Sequence, residues 1–146
     1  MNYLKFIAAL AVGLIIGLYG SNYLYNVLLF EAAGGEQGML SFFNSLDDPG
    51  SNTYKASWYI FPLGLIFFMF FSFLTMWITV RISPIWHKAL AIILGGLIGI
   101  WGATLLAITA GSFAVAMLNP LLTIATALYA VTFNRKLMAQ QTASPG

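Results

Sequence analysis

The most polar group placed deep inside an apolar run of this chain is Asn119. Pro120 follows it directly, and Thr123 and Thr126 lie on the next turns. Proline lacks an N–H and frees a carbonyl one turn earlier, so a kink is expected there. An asparagine amide and threonine hydroxyls beside a kink bond freed carbonyls or a neighbouring helix. The same groups can also line a small polar site that binds a ligand or passes a neutral solute. Trp101, near the middle of the preceding apolar stretch, is placed to wall such a site. Asn119, Pro120, Thr123 and Trp101 are therefore the candidate polar intramembrane site.

Little other chemistry is on offer. The chain has no cysteine, which excludes disulfides, thiolate metal sites and thiol redox catalysis. His87 is the only histidine; it lies between Trp86 and Lys88 and reads as an exposed interfacial residue. Glu31, Glu36, Asp47 and Asp48 lack the alternating spacing of a calcium loop. No nucleophile, base and orienting group can be assembled, so no catalysis, cofactor or metal is expected.

These residues sit in a chain of 146 residues that is 60% hydrophobic and only 7% charged. A soluble domain carries about 25% charged residues and about 45–50% apolar ones. Disorder needs low hydrophobicity and high charge, the opposite balance. The composition therefore describes a single integral membrane domain. Six Lys or Arg against four Asp or Glu leave a net charge of +2. The basic residues flank apolar runs instead of clustering, a pattern of membrane topology and not of nucleic-acid binding.

A helix needs about 20 residues at 1.5 Å each to cross about 30 Å of hydrocarbon. Four such spans are expected, at about 4–30, 58–80, 89–109 and 113–133. The last two are divided only by Ala110-Gly111-Ser112, small residues suited to a tight hairpin turn. The first run is too long for a signal-peptide core and no Ala-x-Ala-like site follows it, so it is expected to stay. With four spans, Lys5, Arg81, Lys88, Arg135 and Lys136 fall on one side. Lys55 and all four acids fall on the other. Positive charge marks the cytoplasm, which places both termini there, including a tail over 134–146. The short loops suggest a bacterial inner membrane and an all-α, antiparallel up-down bundle.

The outer loop, 31–57, holds one patterned segment. Met39, Phe42, Phe43 and Leu46 recur at i, i+3, i+4 and i+7, one apolar face of a short helix. That helix is expected to lie in the interface, or to serve as a partner-docking loop. Asp47-Asp48-Pro49-Gly50 reads as the turn that ends it.

Inside the spans the information lies in small residues. Gly13 and Gly17 form a Gly-x-x-x-Gly step, and Gly95, Gly99 and Ala103 continue as a row in span three, beside Gly96 and Gly102. Such residues let backbones approach closely, either within the chain or toward another subunit. Span two is aromatic all round, through Phe67, Phe68, Phe70, Phe71, Phe73 and Trp77. No Asp, Glu, Lys, Arg or His falls inside any span. A charge at a helix centre costs at least about 2.5–3.5 kcal/mol and usually marks ion work, so proton coupling and voltage sensing are not expected. Three functions remain. The first is a non-catalytic accessory subunit or assembly partner in a membrane complex. The second is a small homo-oligomeric channel or transporter for a neutral solute. The third is an immunity or exclusion protein against a membrane-inserting toxin or phage. The expected partners are the lipid bilayer and another membrane protein or a second copy, with no nucleic acid.

Overall fold

The computed structural model describes residues 1–45, 52–110 and 116–143, and these are almost wholly helical. The first apolar run forms α1 (Asn2–Leu14) and α2 (Ser21–Ala33), joined through a π turn at Ile15–Gly20 into one rod. Gly34 ends it in the left-handed conformation, at φ 82°. There the Gly34 N–H donates to Glu31 O at 3.1 Å and the Gly35 N–H to Phe30 O at 3.0 Å. Glycine is the residue that enters this region without a Cβ penalty, so Gly34-Gly35 is a stop signal with a mechanism.

The segment after Gly35 folds into α3 (Glu36–Ser45), where the patterned helix is expected. The side chains of Met39, Phe42 and Phe43, and all of Leu46 and the Asp47–Gly50 turn, lie outside the described residues. α4 (Asn52–Ile82) begins earlier than the expected span and runs through Pro62. The last residues of the segment 31–57 are thus helical, while the stretch of α4 that is apolar enough to cross a membrane starts at Pro62. Pro84 follows the end of α4, as expected from its missing N–H. α5 is His87–Ala110 and α6 is Leu118–Ala143. The hairpin residues Gly111 and Ser112 are outside the described residues.

Among the described residues, three stretches are long and apolar enough to cross a membrane: Asn2–Glu31, Pro62–Ile82 and His87–Ile108. The apolar part of α6, residues 118–133, reaches only about 24 Å at 1.5 Å per residue, against about 30 Å of hydrocarbon.

Packing sets the helix directions. Gly13 sits against Thr79 and Leu94, and Gly17 against Thr75 and Ile98. α1 therefore runs antiparallel to α4 and parallel to α5. Asn119 reaches Gly99 and Thr123 reaches Gly95, so α6 runs antiparallel to α5. The core has two apolar clusters. One is centred on Ala9, Met76, Leu90, Leu94 and Ala127, toward the His87 end. The other gathers Tyr25, Phe68, Ile98, Leu106 and Ala116 toward the opposite end. Alongside them runs a polar layer: Ser21, Ser72, Thr75, Thr79, Asn119 and Thr123 are all buried.

Candidate functional site

The polar layer is built where α6 enters the bundle. The Asn119 Nδ2 donates to Gly99 O at 3.0 Å. The Thr123 hydroxyl lies 2.8 Å from Gly95 O and 2.9 Å from Asn119 O. The Ser72 hydroxyl donates to Thr123 O at 2.7 Å, tying α4 to the same point. With little water at this depth, the carbonyls of α5 gain donors that lipid could not supply.

Glycine makes this approach possible. A Cβ on Gly99 would press into Pro120 Cα and the Thr123 hydroxyl, and one on Gly102 into the Asn119 amide and the Phe68 ring. A Cβ on Gly95 would lie 3.0 Å from Ile124 Cα. Ala103 is buried in the adjoining apolar cluster. Within this chain, then, Gly95 and Gly99 face α6, while Gly13 and Gly17 face α4 and α5.

The sequence-based candidates separate at this site. Asn119 and Thr123 come together, on one turn of α6. Pro120 joins them through its backbone against Gly99, and the chain one turn further upstream, where the kink is expected, lies partly outside the described residues. The helix begins at Leu118, so Pro120 lies in its first turn, where a missing N–H removes no intrahelical bond. Trp101 does not wall the site. It is 48% exposed and lines a surface groove with Leu14, Ile15, Leu18, Tyr19 and Asn22. The aromatic ring of span two also has a definite inside, since Phe68 is fully buried while Phe70 is exposed.

Ser72, Thr75 and Thr79 of the aromatic span also belong to the polar layer. Their spacing of i, i+3 and i+7 marks one helix face and was a readable signal. Ser21 joins them at the π turn, with its hydroxyl donating to Gly17 O. Two buried atoms of the layer, Thr75 Oγ1 and Asn119 Oδ1, have no hydrogen-bond partner among the described residues.

At the other end, His87 is only partly exposed, which amends the expectation of an exposed ring. Its Nε2 lies 2.7 Å from Ser83 O and so joins the end of α4 to the start of α5. Trp86 has φ 56°, a conformation that costs a bulky L-residue about 1–2 kcal/mol. Its ring meets Tyr3 and Phe6 edge-on, with centroids 5.6 and 5.5 Å away, and its carbonyl accepts the Leu90 N–H. Arg81 stacks over Trp77 at 4.6 Å.

Chemically this arrangement holds helices together. Among the described residues no three His, Cys, Asp or Glu side chains gather to hold a metal ion. Comparison with known proteins finds no matching family model, no matching curated protein and no matching solved structure.

Proposed function

We propose that the protein is a non-catalytic accessory subunit or assembly partner of a membrane complex. In this reading α6, together with the residues before Leu118, makes a fourth crossing. Both termini then lie in the cytoplasm, most simply at a bacterial inner membrane. The charge pattern supports that orientation: Lys5, Arg81, Lys88, Arg135 and Lys136 share one side.

One observation carries the functional reading. Most of the polar layer bonds inward: Asn119, Thr123 and Ser72 reach backbone carbonyls of the chain's own helices. The helix faces left outside are apolar and aromatic, with Leu63, Ile66 and Phe70 on α4 and Ile93, Leu97 and Trp101 on α5 all exposed. Such faces suit lipid and partner helices better than a solute path.

A tagged pull-down from native membranes in mild detergent, with the intact particle weighed, tests this. The expected result is a second membrane protein at fixed stoichiometry. A pure homo-oligomer that conducts a neutral solute in liposomes, and loses that flux in Asn119→Leu, would replace this reading with the channel. The observation favouring the channel is the pair of buried, unpartnered polar atoms on Thr75 and Asn119.

A further inference from the structure

Two grooves on the first apolar helix join end to end. Leu14, Ile15, Leu18 and Trp101 line the first, of about 440 Å³. Asn22, Tyr23, Asn26 and Glu31 are among the residues lining the second, of about 430 Å³. Tyr19 and Asn22 belong to both, so the surface is continuous.

Its polarity changes along its length. The Leu14 end is aliphatic and indole. The Glu31 end carries the Asn26 amide and the Glu31 carboxylate beside Val27 and Phe30, with the Asn22 amide at the junction. Asn26 Nδ2 donates to Asn22 O at 2.9 Å and to Asn22 Oδ1 at 2.8 Å, so the amides hold one another in place. The Tyr19 and Tyr23 rings stack at 6.4 Å and 10°, forming a flat wall beside them. Glu31 is exposed, and no cation pairs with it among the described residues.

The length matches one leaflet. From Leu14 to Glu31 the helix rises about 25 Å; half of a bilayer with its headgroups is about 20–22 Å. A spanning partner helix would need a face about twice as long. Tyrosine and asparagine then sit where headgroups begin, a level that amphipathic side chains favour.

We propose that this groove holds one phospholipid of the leaflet on the Glu31 side, selected for a primary-ammonium headgroup. The acyl chain lies along Leu14, Leu18 and Trp101, and the ammonium donates hydrogen bonds to the Glu31 carboxylate. A quaternary ammonium brings the charge but no N–H to donate. An anionic headgroup without an amine meets Glu31 as a like charge. This site is independent of any protein partner.

The test is native mass spectrometry on the full chain, reconstituted in vesicles of equimolar phosphatidylethanolamine, phosphatidylcholine and phosphatidylglycerol with identical acyl chains. The wild type should retain phosphatidylethanolamine over phosphatidylcholine by about 1.4- to 5-fold, the range of an exposed carboxylate–ammonium pair. Glu31→Gln should bring that ratio to about one. Trp101→Ala should lower total lipid retained and leave the ratio in place. Both side chains are on the surface, and matching circular dichroism would verify that the variants fold. A wild-type ratio of one, a ratio that survives Glu31→Gln, or a second copy of the chain retained in place of lipid would each overturn the proposal.

Discussion

Whether a glycine is replaceable depends here on what its missing Cβ faces. At Gly99 the obstacle is the backbone of Pro120, which cannot rotate away. Gly99→Ala should therefore destabilise the bundle by about 1–3 kcal/mol, the usual range for overpacking. Gly96, one helical step from Gly95, has only the tip of Ile124 at 3.8 Å. Gly96→Ala should be neutral or slightly stabilising, since alanine is the better helix former by about 1 kcal/mol. Unfolding in detergent, followed by helical circular dichroism, compares the pair; equal effects would contradict the packing described. Asn119→Ala removes the donor to Gly99 O. Interhelical hydrogen bonds in membranes average about 0.6 kcal/mol and reach about 1.7, so a loss of about 1 kcal/mol is expected by the same assay.

At the scale of the element, α6 is shaped by where it begins. Pro120 in a first turn is pre-organised for the helix and removes no bond. Pro120→Ala should shift stability by less than about 1 kcal/mol, whereas removing a proline from a helix interior relieves about 3 kcal/mol. A large gain in stability on this substitution would mean that the helix continues upstream through Pro120. The first apolar rod has its own irregularity. Its π turn places Gly17 against Thr75 and lets the Ser21 hydroxyl take up a carbonyl inside the turn. Turns of this kind arise where the regular bonding ladder is interrupted, and the apolar periodicity of the run carries no trace of it.

For the whole molecule, the sharpest question is the number of crossings. The chain has no cysteine, so single introduced cysteines report topology without background. Gln37→Cys, on α3, should react with a membrane-impermeant maleimide added outside the cytoplasmic membrane. Gln140→Cys, near the end of α6, should react only after permeabilisation. Labelling of both from outside would leave three crossings and put the C-terminus on the far side.

Some of this was legible in the residues alone. Membrane class, the first three spans, the glycine stop at Gly34 and a short helix around Met39 all follow from local quantities. Hydropathy and charge add up along the chain, and a left-handed glycine or an i, i+4 pair needs only its own neighbourhood. The tertiary structure decided the rest, because each remaining question concerned which face of a helix meets which neighbour. In lipid an outward Leu or Phe costs no more than an inward one, so apolar periodicity does not orient a helix about its axis. Only packing turned Trp101 outward, set Ser72, Thr75 and Thr79 inward, and brought Gly95 and Gly99 against the first turns of α6.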